Sequence, residues 1–294
     1  MSLLGWRFDL NKARVSFLAK LRKKEQNKKK RLELQYRIAE HLAKFPQDKE
    51  KQEVFCFLKR NEISTFPYDF VREYKRWMPN LVYNIEHNCF SAQWHGKTMY
   101  LKSSFTKEAA EGYFRSIVIE QDSRSPHHYD VPAEMQGKVI ADMGAAEGFF
   151  TLDVIDQVQK AYLFECDPEW VEALKLTFAP WSDKVEIVEK YIDEKDDAQS
   201  VTLDTYFADK ALDFIKADIE GYEVQMLNGG EQTLEKVSSL ILCAYHKQNA
   251  EAELKQILSQ HGFQVTTSPG YMFFDMYDEM QEPYLRRCLI FANK

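Results

Sequence analysis

Long hydrophobic runs, a cysteine framework and internal repeats are all missing from this chain. Across its 294 residues no apolar stretch approaches the roughly 20 residues that a membrane-spanning helix requires. The opening "MSLLGWRFDLNKARV" lacks the apolar segment and small-residue cleavage site of a secretory signal, so the reading is a cytoplasmic chain. Cysteine is scarce and irregular. Cys56, Cys89, Cys166, Cys243 and Cys288 are odd in number, far apart and mostly set in apolar runs such as "VFCF" and "LILCAY". Nothing in that spacing suggests a disulfide framework or a zinc site, which leaves the expectation of buried free thiols.

What is present is an ordinary globular composition, 45% hydrophobic and 29% charged, on a chain long enough for one sizeable core or a core with a smaller unit attached. The net charge of −7 conceals an asymmetry: residues 1–35 hold 11 Lys/Arg against 3 Asp/Glu, or +8, which leaves −15 for the rest. The run "KLRKKEQNKKKR" suits nucleic acid, an anionic membrane face or an acidic partner, and equally a solvated helix. The acidic remainder weighs against a phosphate backbone as the main partner.

Leu34, Ile38 and Leu42 recur at helical spacing and stop before "FPQD". The strands "CFSAQW" and "TMYLK" flank "HGK", a hairpin signal. Residues 1–105 therefore read as a basic helix with a small α+β extension. Residues 106–294 read as the main domain, opened by a helix with Thr106 as N-cap. From residue 137 apolar strands ("KVIADM", "AYLFE", "VEIVEKYI", "LDFIKADI", "SSLILCAYH") alternate with amphipathic helices, which predicts a mostly parallel α/β sheet covered on both faces. "FQVTT" and "RCLIFAN" finish the chain.

In such a sheet ligands sit beyond the carboxyl ends of the strands, at the first strand-to-helix turn. Here that turn is "IADMGAAEGFF". Gly144 lets the chain leave the strand sharply, Gly148 is expected to let backbone and ligand approach closely, and the helix start favours an anionic group. The spacing Asp142, Gly144, Gly148 is D-x-G-x-x-x-G, with Phe149 where a dinucleotide fingerprint wants a small residue. It is closer to an S-adenosylmethionine loop. Glu165, at the end of the next strand, stands where a carboxylate accepts from ribose hydroxyls.

With these segments, and above all "LDFIKADIEGYEVQMLNGG" with its D-x-E-G-x-E pattern, "FECDPEWVEALKLTF", "VTLDTYF" and "LILCAYH", residues 137 to about 266 resemble the FkbM-type S-adenosylmethionine-dependent methyltransferases. The loop departs from the family in carrying Ala146 and Glu147. The resemblance implies a Rossmann-like class I methyltransferase sheet of seven strands, the last antiparallel, and methyl transfer, usually to oxygen of a small molecule or glycan. It implies cofactor contacts from Asp142, the backbone of Gly144, Ala145, Ala146, Gly148 and Phe149, Glu165, and Cys166 beside the adenine.

Methyl transfer to a hydroxyl gains from alignment and from a base. The candidates are Asp218, Glu220 and His246, at adjacent strand ends. Helix capping by the two acids and a hydrogen-bonded structural histidine are the plainer readings. No tight metal-ligand motif is present. His127 and His128, in "SPHHYD", precede the first strand of the main domain and are expected to cover the crevice or lie on the surface. The Met- and aromatic-rich "SPGYMFFDMYDEM" suits an acceptor wall or the core. Two other functions remain: an RNA-binding protein or RNA methyltransferase working through the basic segment, and an interaction module that kept the fold without the chemistry.

Overall fold

The computed structural model describes residues 25–132, 134–274 and 280–294. Lys20 to Lys24 of the basic run and positions 275–279 of the aromatic segment lie outside the described residues. Helix α1, residues 25–42, puts Ile38 and Leu42 into the core and leaves Lys28, Lys29 and Lys30 exposed. It is followed by α2 (Lys49–Leu58), with Asp48 as N-cap accepting from Lys51 N, and a 3-10 segment, Asp69–Arg76. The expected hairpin is there, as β2 (Cys89–Trp94) and β3 (Lys97–Tyr100), turned through His95 and Gly96, both at positive φ. A third strand, β1 (Val82–Asn84), adds to β2 antiparallel. Its three residues were too few to show a period. Helix α3 (Lys107–Glu120) begins at Thr106, whose side chain accepts from Ala109 N.

The main sheet contains β4 (Val139–Met143), β5 (Lys160–Phe164), β6 (Val185–Val188), β9 (Phe214–Ala217), β10 (Ser239–Cys243), β11 (Gln264–Thr267) and β12 (Leu289–Asn293), in the order β11-β12-β10-β9-β4-β5-β6. All neighbours pair in parallel except β12, which runs antiparallel to both β10 and β11. This is the seven-stranded α/β sheet with a reversed last strand. "VEIVEKYI" is not one strand. It breaks after β6, and β7 (Tyr191–Ile192) pairs instead with β8 (Ser200–Val201) in a separate two-stranded sheet.

Helices α4 (Phe149–Val154), α5 (Pro168–Thr177), α6 (Leu203–Tyr206), α7 (Glu223–Asn228), α8 (Glu231–Lys236) and α9 (Ala250–Gln260) complete the layers. The helix after "IADMGAAEG", α4, stops after six residues. The two faces of the sheet form two clusters. One packs Ile140, Leu163, Phe214 and Ile241 against α3, α4 and α5 and runs on into Val54, Phe66 and Trp94 of the extension; the other packs Ala141, Phe164, Ile215 and Leu242 under α6 to α9. The extension is also tied on by polar contacts: Trp94 Nε1 donates to Asp153 at 2.8 Å, Phe273 N to the Thr65 carbonyl at 2.9 Å, and Arg287 pairs with Glu50 at 2.7 Å. All five cysteines are free, and Cys56 is exposed rather than buried, because it sits on the outward side of α2.

Candidate active site

Where the parallel strands end, the glycine loop and the turn after β9 press against each other. Gly144 has φ +70°, and a Cβ there would lie 2.0 Å from the Asp218 carbonyl oxygen. Only glycine satisfies both the left-handed backbone and the contact. Ala146 is left-handed as well, at φ 46°. The N–H groups of Gly144 and Ala145 both donate to the Phe164 carbonyl at 3.0 Å, and Gly148 N donates to Ala145 O. These amides brace the loop on β5.

Gly144 and Ala146 open on a crevice of about 690 Å³ that is also lined by Glu165, Cys166, Trp170, Tyr191, Asp218 and Glu220. That volume suits a nucleoside-sized ligand. Glu165 is fixed at one end: Oε2 accepts from Ala146 N at 2.9 Å, and Oε1 from the N–H groups of Cys166 and Asp167 at 2.8 Å. Three of the four lone-pair sites of the carboxylate are used in this way, and the one remaining on Oε2 can accept from a ligand. Burial, with Glu165 and Glu189 nearby, pushes the Cys166 thiol up to about 11, which keeps it neutral beside the crevice.

Four of the expected cofactor contacts differ in placement. Asp142 is completely buried: Lys216 Nζ lies 2.9 Å from Oδ1, and Thr151 donates to Oδ2 at 2.8 Å. Lys216 also donates to Gly144 O at 2.9 Å, so the pair supports the loop from below. Burial acts to lower the Lys216 pKa, but the facing Asp142 and Asp218 outweigh it and raise it. Ala145 is buried. The close approach that requires Gly148 is to a helix and not to a ligand: a Cβ would stand 2.6 Å from Phe178 and 2.8 Å from Leu174. Phe149 turns into the core against Trp94 and Tyr129, because the helix start points its first side chain at the apolar face.

Two of the three acid–base candidates, Asp218 and Glu220, line the crevice, while His246 is buried against them and outside its lining. Tyr129 and Tyr245 donate to the Asp218 carboxylate, each at 3.3 Å. His246 Nε2 is 3.4 Å from Asp218 and 3.5 Å from Glu220, while Nδ1 is 3.2 Å from Glu223. Burial works against charge on His246, but the Glu223 hydrogen bond and the charges of Asp218 and Glu220 prevail and raise its pKa. Asp218 is held below the usual carboxylate range despite burial, chiefly by His246 and Lys216. Glu220 is mostly exposed, left-handed at φ 55°, and stands at the rim.

Sequence reasoning missed Glu223, although it is the last acid of the D-x-E-G-x-E pattern. It is 1% exposed and accepts from Ile219 N at 3.2 Å as well as facing His246. Glu147 was also missed: buried, hydrogen-bonded by Tyr113, and pushed up to about 7 by that burial. Glu120, at the end of α3, is pushed up to about 8 by burial and the negative charges of Asp218 and Glu147. His127 is buried beside Tyr129 and Tyr245, and His128 bonds the Gln121 carbonyl.

Residues 180–265 match the model of the methyltransferase FkbM domain. No curated protein matches the chain. Among solved structures, the methyltransferase FkbM of Methylobacillus flagellatus KT is 18% identical, with a TM-score of 0.46, over 59% of this chain and 47% of that one, so the likeness spans about half of that protein's length. The precorrin-6y C5,15-methyltransferase of Geobacter metallireducens GS-15 is 14% identical over 55% of this chain and 82% of that chain, with a TM-score of 0.38. M. capricolum TrmK, solved with S-adenosylhomocysteine, is 12% identical over 54% and 62%, with a TM-score of 0.38. The match to the FkbM methyltransferase domain thus covers residues 180–265, within the seven-stranded sheet whose last strand is reversed.

Proposed function

We propose that the chain transfers a methyl group from S-adenosylmethionine to a hydroxyl of a small molecule or glycan, in the cytoplasm. The observation that carries this reading is one crevice with Glu165 at one end and Asp218 at the other. The residues fit the cofactor: Glu165 keeps acceptor capacity on Oε2 for a ribose hydroxyl, Cys166 and Tyr191 flank the space for the base, and the Asp218 and Glu220 carboxylates face its cationic end. When bound, the cofactor supplies an electrophilic methyl group on a sulfonium.

The chain's own residues then align and deprotonate. Asp218, held ionised, accepts the proton of the acceptor hydroxyl. His246 is a positioning residue and not the base: it is buried between Asp218 and Glu223, at 3.4 and 3.2 Å, and fixes the orientation of Asp218. Glu220 at the rim orients the acceptor. Asp142 acts from beneath, through Lys216, on the shape of the loop.

Calorimetric titration with S-adenosylmethionine and S-adenosylhomocysteine, on wild type and on Glu165→Ala, tests the cofactor. Saturable binding that weakens about 100-fold in the variant is expected, on the scale of hydrogen bonds lost at a charged group. No binding by well-folded wild type refutes the enzyme and favours the interaction module. With an acceptor in hand, Asp218→Asn is expected to lower kcat by about 10²- to 10⁴-fold. The exposed Lys28, Lys29 and Lys30 keep a second reading in play, an RNA partner. Salt-sensitive RNA binding lost on reversing those three charges would support it.

A further inference from the structure

Beneath the acceptor end of the crevice, Asp218 shares a group of side chains with His127, Tyr129 and Cys243, three residues that the proposed methyl transfer does not use. Cys243 ends β10, His127 and Tyr129 come from the segment before β4, and Asp218 follows β9. The sulfur of Cys243 is 3.8 Å from His127 Nε2 and 3.3 Å from the Tyr129 hydroxyl, which is itself 3.3 Å from Asp218 Oδ2. His127, Asp218 and Cys243 each present one ligating atom, all within 4.8 Å of one another.

These groups are poorly satisfied by one another. The hydroxyl contacts to Asp218 run from 3.3 to 3.4 Å, longer than the usual O–H···O bond of about 2.5–3.0 Å. His127 is 3% exposed, its Nδ1 has no hydrogen-bond partner among the described residues, and its Nε2 has only the long contact to sulfur.

We propose that His127 Nε2, Cys243 Sγ and the Asp218 carboxylate bind a divalent cation of the zinc class, with the Tyr129 hydroxyl as a fourth contact. A mixed nitrogen, sulfur and oxygen set selects such an ion over calcium or magnesium, which prefer oxygen alone. The 3.3 Å between Tyr129 and Asp218 is the edge of a tetrahedron with bonds of about 2.0 Å, and the 3.3 and 3.8 Å contacts to sulfur lie either side of the edge of about 3.5 Å that a sulfur bond of about 2.3 Å gives. On binding, the Cys243 S–H bond breaks, its proton passes to solvent, and a metal–thiolate bond forms with no change of oxidation state. The neighbouring cations do not oppose the ion unscreened, since Lys216 faces Asp142 at 2.9 Å and His246 faces Glu223 at 3.2 Å. The ion would tie residues 127–129 to the ends of β9 and β10, directly under the acceptor.

The test uses the full, untagged chain, reduced and stripped with a chelator, then titrated with Co²⁺ and separately with Zn²⁺ against a chromogenic chelator. One equivalent of cobalt, with a thiolate-to-cobalt band in the near ultraviolet, is expected for wild type and for Cys56→Ser. In Cys243→Ser the band should vanish, and in Cys243→Ser and His127→Ala zinc affinity should fall about 100-fold or more. The wild-type spectrum needs no variant to fold. A folded wild type without the cobalt band, or a band unchanged in Cys243→Ser, overturns the site. S-adenosylmethionine titration of the same sample keeps the two ideas apart: cofactor binding without cobalt refutes the metal site alone, and cobalt without cofactor binding refutes the methyltransferase reading alone.

Discussion

The two ends of the crevice are built in different ways. At the Glu165 end the work is done by backbone within 25 residues of chain: Gly144 and Ala146 in left-handed conformations, their amides braced on Phe164 and Glu165. At the Asp218 end it is done by side chains brought together from α3, the segment before β4, β9, α7 and β10. The first kind of construction leaves a pattern in the sequence, because local backbone geometry dictates residue type at fixed offsets. The second leaves almost none.

That contrast can be broken from either side. The largest effect is expected where the two ends share a support. Lys216→Ala strands the buried Asp142 carboxylate and should destabilise the fold by about 4 kcal/mol, read as a large fall in the denaturant midpoint. Gly144→Ala forces a Cβ to within 2.0 Å of the Asp218 carbonyl. It should cost about 3 kcal/mol and also abolish cofactor binding, since the loop must move; thermal melts with and without S-adenosylhomocysteine separate the two losses. Thr151→Val removes the hydroxyl that donates to Asp142 at 2.8 Å, for an expected loss of about 1–2 kcal/mol with cofactor affinity little changed.

The smallest effect sharpens the comparison by pH. His246 has a folded pKa above its unfolded value of about 6.5, so its stabilisation is fully present below about pH 6.5 and is lost as pH rises through the folded pKa. Wild-type melting temperature should therefore fall over that window relative to His246→Gln. Equal slopes for the two proteins would remove the Asp218–His246–Glu223 arrangement from the account, and would leave the Glu165 end untouched.

Much of the fold was legible. Apolar β4, β5, β9 and β10 alternate with amphipathic helices, Thr106 caps α3 as its hydroxyl suggests, and His95 and Gly96 mark the hairpin turn. Less of the site was. Gly144, Ala146, Glu165, Cys166, Asp218 and Glu220 do line one crevice. Asp142 and Gly148 occupy the expected positions in the chain but serve an ion pair and a helix contact, because a carboxylate on a strand or a glycine at a helix start looks the same whatever it faces. Glu120 and Tyr129 carry no local signal at all, and the histidine pair that drew attention to His127 did not say that it would be buried beside Cys243.

By itself the sequence determined the sheet and its loop, since periodicity, capping and glycine requirements act over a few residues and are written in order along the chain. Only the tertiary structure decided what stands around Asp218. Its partners Tyr129, Tyr245 and His246 lie 89, 27 and 28 residues away, and the register of Asp142 opposite Lys216 across β4 and β9 exists only once those strands pair. Charges and donors buried at such separations find their partners through packing, and no spacing rule along the chain records the result.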